Sequence, residues 1–301
     1  MENKGLTLSI IFEAESSNYG EGGSNYSSLK KMNRGDGYTY SYISRQALRY
    51  SIIKQLGWDT TPVEAAGSGD KKVVQFKPDA YINKHPEIDL FGYMKTIKGG
   101  ASIIRSAVVR LSNAISLENY NADTDFLNNM GLAKRANVNN NLAQIEIHKS
   151  YYAYTVTIDL DRVGVGDNEG EKKDLSVSEK KISAERVNSF LNVLKTLYRD
   201  IRGRRENLSP IFIIGGVYNI KNPFFENRLR VSKNNLDIDI ILKTIDIDKE
   251  VKNNTVVGYI GNIFNNSKEI EEGLKTKELK PKSISEVFDY LSEEVNKYYG
   301  K

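Results

Sequence analysis

Residues 6–14 read LTLSIIFEA and residues 151–160 read YYAYTVTIDL, and the fold class follows from these two stretches. In the first, Leu6, Leu8, Ile10, Phe12 and Ala14 alternate with Thr7, Ser9, Ile11 and Glu13. In the second, Tyr152, Tyr154, Val156, Ile158 and Leu160 alternate with Tyr151, Ala153, Thr155, Thr157 and Asp159. A strand turns successive side chains to opposite faces, so each stretch predicts a long strand with one apolar face. A helix follows each. Ser41 and Ser44 offer N-cap hydroxyls ahead of Ile43, Ala47, Leu48, Ile52 and Leu56, whose spacing predicts a helix that stops near Gly57. After a charged loop over 162–181, Val187, Phe190, Leu191, Leu194, Leu197, Tyr198 and Ile201 predict a second helix with a broad apolar stripe, ending at Gly203.

Residues 211–217 form a continuous apolar run and predict a central strand, in which Gly215 and Gly216 would let a ligand approach the backbone. Leu236, Ile238 and Ile240 alternate with Asp237 and Asp239 and suggest another strand, and residues 256–260 suggest one more. From 283 onward, Ile284, Val287, Phe288, Leu291, Val295 and Tyr298 share one face of a C-terminal helix. The stretch 60–149 is different: polar loops, short apolar runs such as 88–94 and an Asn-rich segment at 137–141 give no sustained period. It reads as one large insertion, 60–149, in a core made of 1–59 and 150–301. This order predicts an α+β sheet with helices packed on one side, compatible with a ferredoxin-like or RRM-like core.

Composition narrows the chemistry. The 301 residues include no cysteine and two histidines, His85 and His148, which removes thiolate nucleophiles, disulfides and cysteine-ligated zinc. No apolar run is long enough to span a bilayer and the start has no signal-like pattern, so a cytoplasmic location is expected. The net charge of +4, from 43 Lys+Arg against 39 Asp+Glu, is small, so any anionic partner must be argued from where the cations lie.

Arg45 and Arg49 share one helix face, and Lys30, Lys31 and Arg34 sit in the glycine-containing loop upstream. Guanidinium groups fit phosphates bidentately, and N–H groups near Gly35 and Gly37 would add donors without reading any base. Solvated helix arginines are the competing explanation. A second basic stretch contains Lys95, Lys98, Gly99, Gly100, Arg105 and Arg110. It suits a loop lying along a sugar-phosphate chain as well as it suits a hairpin with exposed cations. Arg199, Arg202, Arg204 and Arg205 are expected to close the second helix, where cations complement the macrodipole. Arg228, Arg230 and Lys233 follow Phe224 and Phe225, a pair better explained by core packing than by base stacking. Asp159, Asp161 and Asp167 lack the full pattern of a calcium loop, and Asp36 is a lone carboxylate beside the basic loop. No metal or cofactor is expected.

NRGDGYTYSYISRQALRYSI at 33–52, DLFGYM at 89–94 and IIRSAVVRLSNAISL at 103–117, in this order and spacing, resemble the DevR family of type I-B CRISPR systems. Its members are RAMP-type backbone subunits of Cascade. The resemblance implies a modified RRM-like palm with inserted finger and thumb elements and a non-catalytic role. Several copies would stack along one CRISPR RNA, the thumb of each displacing a nucleotide at intervals while the segments between pair with target DNA. It also implies antiviral defence and further Cascade partners: a large subunit, an end-capping RAMP subunit and a guide-processing endonuclease. Carried onto this chain, Arg34, Ser44, Arg45 and Arg49 are the palm candidates for RNA contact, and Lys98, Gly99, Gly100, Arg105 and Arg110 the inserted-loop candidates. Two alternatives stand beside this: a type III-like RNA endonuclease using Asp36, and a stand-alone single-stranded RNA-binding protein.

Overall fold

The computed structural model describes residues 1–15, 18–20, 25–66, 72–96, 102–168, 171 and 174–300. Among these, eight strands build the main sheet: β1 (Gly5–Ala14), β2 (Lys31–Asn33), β3 (Thr39–Ile43), β4 (Val109–Leu111), β5 (Ala114–Ser116), β6 (Ser150–Asp159), β7 (Phe212–Tyr218) and β8 (Thr255–Tyr259). Their order is β8–β7–β1–β6–β5–β3–β2, with β4 also paired to β6, and every pairing is antiparallel. The two alternating stretches are direct neighbours, in register from Gly5 opposite Asp159 to Ala14 opposite Ser150.

One face of the sheet is covered by helices α1 (Arg45–Leu56), α2 (Val177–Lys195) and, from the C-terminus, Ile284–Tyr299. Leu6, Leu8, Ile10 and Phe12 of β1 and Tyr152, Tyr154, Val156 and Ile158 of β6 meet Leu48, Ile52, Val187, Phe190, Leu191, Phe288 and Leu291 there. The helix ends explain why these segments are helical. Ser44 caps α1 by accepting from the Ala47 N–H, Gly57 ends it in a left-handed conformation (φ 65°), and Ser176 with Glu179 and Ser283 with Glu286 form capping boxes.

Four expectations are corrected. Helices occupy both faces: Ile238–Ile245 and Ser267–Thr276 pack Ile238, Ile241, Ile245, Ile270 and Leu274 against Ile11, Phe212, Ile214 and Val257 on the other side. Five alternating residues at 236–240 are too few to tell strand from helix, and Asp237 decides for a helix by accepting from the Ile240 N–H at 3.2 Å. Second, α2 ends at Lys195, and the arginines expected at its terminus lie on a hairpin, Tyr198–Ile201 with Arg204–Asn207, whose turn residues Arg202 and Gly203 are both left-handed (φ 50° and 78°). Third, Gly215 and Gly216 admit neighbouring backbone: an added Cβ would come within 1.9 Å of the Thr7 carbonyl oxygen and 2.0 Å of that of Asn254. Fourth, residues 60–149 are not one insertion, because β4 and β5 return to the sheet within them. Three-residue strands are too short to show a period. No helix among the described residues is long and apolar enough to cross a membrane.

Candidate nucleic-acid interface

The second group of helices covers the β7 and β8 end of its face and leaves part of β5 and β6 open. Here Ile115, Leu117, Ala153 and Thr155 floor a cleft of about 580 Å³, walled by Arg34 and Arg45 on one side and residues 225–230 on the other. It runs into a wider cleft of about 1750 Å³ that shares Arg34, Leu117, Leu229 and Arg230 and extends past Tyr38, Tyr40 and His148. Together they form one groove.

Local structure places each cation. Arg34 sits in the turn between β2 and β3, its N–H bonded to the Tyr38 carbonyl and its guanidinium 4.4 Å from the centre of the Tyr40 ring. The same turn holds Asp36, which accepts from the Tyr38 N–H (2.9 Å) and the Tyr40 hydroxyl (2.7 Å); these bonds, led by Tyr40, hold its carboxyl below the ordinary aspartate range. Arg45 opens α1, its N–H bonded to Asn113 Oδ1 at 2.9 Å, so helix and sheet floor are tied at the cleft. Arg230 stands between buried Leu229 and Val231, which press it outward. All three arginines are exposed, and among the described residues neither Arg45 nor Arg230 has a side-chain partner. Exposed guanidiniums arranged in this way can hold a polyanion by its phosphates without reading a base.

The remaining candidates separate. Ser44 is buried, its hydroxyl used for the cap and as acceptor from Asn18 (3.2 Å), so it positions Arg45. Arg49 is half-buried with its guanidinium 4.9 Å from the Phe91 ring centre, and burial lowers its pKa. Arg110 is exposed on the face opposite the core residue Val109 and pairs with Asp159 at 2.9 Å. Lys98, Gly99 and Gly100 lie outside the described residues.

Arg105 is withdrawn from the interface. Its side chain is 0% exposed; Nη2 bonds Asp89 Oδ1 at 2.7 Å and the Arg162 carbonyl at 3.0 Å, and Nη1 bonds the Val165 carbonyl at 2.7 Å. No phosphate can reach it. Lys95, from the same stretch, is also interior, donating to the Ala80 carbonyl above the Tyr93 ring.

Asp159 pairs with Arg110, Asp161 with Lys221 and Asp167 with Arg162, and among the described residues no group of three or more His, Asp or Glu could hold a metal ion. His148 borders the groove, but burial lowers its pKa and Nδ1 lies 2.7 Å from the Ser41 hydroxyl, the arrangement of a neutral structural ring. Sequence reading passed over Arg230 as a site residue, although the apolar, charged, apolar order of Leu229, Arg230 and Val231 was a signal that this cation is held outward.

Comparison with known proteins agrees with this architecture. Two solved structures share it: a chain of a "CRISPR RNA-guided surveillance complex, pre-nicking" (TM-score 0.60, 11% identity, covering 97% of this chain and 100% of that one), and a chain of a "CRISPR RNA-guided surveillance complex" (TM-score 0.50, 14% identity, 86% and 90%). No curated protein matches the chain. The family described as "CRISPR-associated negative auto-regulator DevR/Csa2" matches residues 6–233, most of the chain, and the protein therefore belongs to the DevR/Csa2 family of CRISPR-associated proteins.

Proposed function

We propose that this chain is the non-catalytic backbone subunit of a type I-B Cascade complex, binding CRISPR RNA and presenting it for pairing with target DNA in antiviral defence in the cytoplasm. The observation that carries this reading is the groove with exposed, unpaired Arg45 beside Arg34 on one wall and exposed, unpaired Arg230 on the other, over the open sheet surface. It offers phosphate contacts along a continuous path, as a subunit must that holds a guide whatever its sequence. Arg110 extends the path in charge, offset by Asp159.

The strand order β7–β1–β6–β4/β5, with α1 between β1 and β4 and α2 between β6 and β7, supports reading the core as an RRM-like palm. Residues between α1 and β4 then serve as the finger. The hairpin Asp123–Asn128 with Leu142–Ile147, inserted between β5 and β6, serves as the thumb. Its exposed Phe126, Leu127, Met130 and Leu132 suit contact with another copy and with other Cascade subunits, namely the large subunit, the end-capping RAMP subunit and the guide-processing endonuclease. A nuclease role for Asp36 is disfavoured because a carboxyl held below its usual range by two hydrogen bonds is a weak base.

The test is to purify the chain alone and with its operon neighbours, extract any nucleic acid and size both RNA and particle. Discrete CRISPR-derived RNA in a multi-copy particle is the expected result. Nucleic-acid-free monomers from both preparations would reject the proposal.

A further inference from the structure

The loop over 222–230 forms one wall of the smaller cleft and is firmly held. Phe225 (1% exposed) and Leu229 (5%) plug into the second core, Asn227 between them is left-handed (φ 59°), and the Glu226 N–H bonds the Pro223 carbonyl at 2.9 Å. This fixes Glu226 on the wall, half-buried, in a cleft also lined by Arg34, Arg45 and Arg230. Yet it pairs with none of them, nor with any other described side chain. Burial raises its pKa.

Several neighbouring polar groups of the cleft floor are already engaged. Asn113 Oδ1 takes the Arg45 N–H, the Ser112 hydroxyl oxygen takes the Thr155 N–H at 2.9 Å, and the Ser9 and Thr155 hydroxyls bond each other at 2.7 Å. Glu226 is a spare acceptor. A carboxylate on the wall of a phosphate-binding groove works against phosphate binding, so a strand lying there must turn something other than phosphate towards it. Nucleotides offer N–H donors on base edges and, in RNA, the 2′-hydroxyl.

Resting on the RNA-groove reading above, we propose that Glu226 is the acceptor of a nucleotide-donor subsite. It takes a hydrogen bond from a ribose 2′-hydroxyl or a base N–H and keeps phosphate off this wall, while Arg34, Arg45 and Arg230 hold the backbone.

The test titrates the full chain, Glu226→Gln and Glu226→Ala with a single-stranded RNA, the DNA of the same sequence and an RNA carrying abasic positions, at one fixed salt concentration. Glu226→Ala should bind RNA roughly tenfold more weakly, the loss expected for one hydrogen bond to a charged group, and Glu226→Gln, whose amide oxygen still accepts but carries no charge, should lose less. If the donor is the 2′-hydroxyl, the native chain prefers RNA to DNA and Glu226→Ala loses that preference. If it is a base N–H, the variants weaken on RNA and DNA alike and lose nothing on the abasic strand. RNA affinity that is unchanged or higher in both variants would overturn the assignment, leaving the carboxylate as mere repulsion. Glu226→Gln keeps the shape of the side chain, so circular dichroism matching the native chain separates lost binding from lost folding. RNA binding that Arg45→Ala weakens and Glu226→Ala does not would remove the subsite alone; a native chain that binds no RNA would remove the groove reading and the subsite with it.

Discussion

Arg45 and Arg105 belong to the same class of residue in neighbouring basic stretches, and their surroundings are opposite. Arg45 is exposed and its guanidinium has no described partner; Arg105 is enclosed, its charge met by Asp89 and by three backbone carbonyls. Asp89 is 16 residues from Arg105, and its second oxygen is met by Arg186, 97 residues away, at 2.6 Å. A charge enters the interior only with such partners, because desolvation otherwise costs more than the fold can offset. The net charge of +4 therefore says little about binding. What matters is which cations the fold leaves without carboxylates.

The interior half of this comparison carries the largest expected effect. Asp89→Ala leaves the guanidinium of Arg186 buried without its counter-charge and that of Arg105 with only the longer pairing to Asp167 at 3.4 Å, and also removes the acceptor of the Gly164 N–H. Breaking a buried pair of this kind costs about 3–5 kcal/mol. Urea unfolding should show a correspondingly lower midpoint, with Asp89→Asn between the two. A midpoint within error of the native chain would mean that the cluster does not organise this region, and the contrast with Arg45 would lose its meaning.

Arg45 and Arg49 repeat the contrast on one helix, one turn apart. Arg45→Ala should leave the unfolding midpoint unmoved and weaken RNA binding whatever the sequence, with the salt slope reduced by roughly 0.7 for each single-strand phosphate that is no longer neutralised. Arg49→Ala should do the reverse, giving up about 0.5–1 kcal/mol of stability as its guanidinium leaves the Phe91 ring, with RNA affinity unchanged. Exchanged outcomes would put the groove on the other side of α1.

How much of this could be read from the sequence depended on the range of the interactions. β1 and β6 were legible because ten residues of each alternate against two different environments, and Ser44 and Gly57 marked the ends of α1 by local chemistry. β4 and β5 were not, since three residues carry no period and their pairing with β6 and β3 is long-range. The arginines at 199–205 looked like a helix terminus because a two-residue turn leaves almost no mark before it. For the site, the loop and helix cations Arg34 and Arg45 were legible from their proximity in sequence, whereas the burial of Arg105 depends on Asp89 and Arg186 and could not be seen from its own neighbours.

The smallest effect concerns His148, which borders the groove but is built like the interior. It is 7% exposed, its Nδ1 lies 2.7 Å from the Ser41 hydroxyl, its ring meets that of Tyr120 edge-on with centres 5.4 Å apart, and burial is the main cause of its lowered pKa. The folded chain therefore takes up a proton at this ring less readily than the unfolded chain, and linkage gives stability that rises with pH wherever the unfolded state binds more protons. The contribution of His148 should be level above the usual histidine value of about 6.5 and should decline as pH falls below it, until the folded-state pKa is passed. Urea midpoints from pH 7.5 down to 5 should thus fall more steeply for the native chain than for His148→Gln. The opposite result, a native chain that gains on the variant as pH falls, would mean that the ring is charged in the folded protein, held by the nearby Glu118 carboxylate, and belongs with the cations of the groove rather than with the interior.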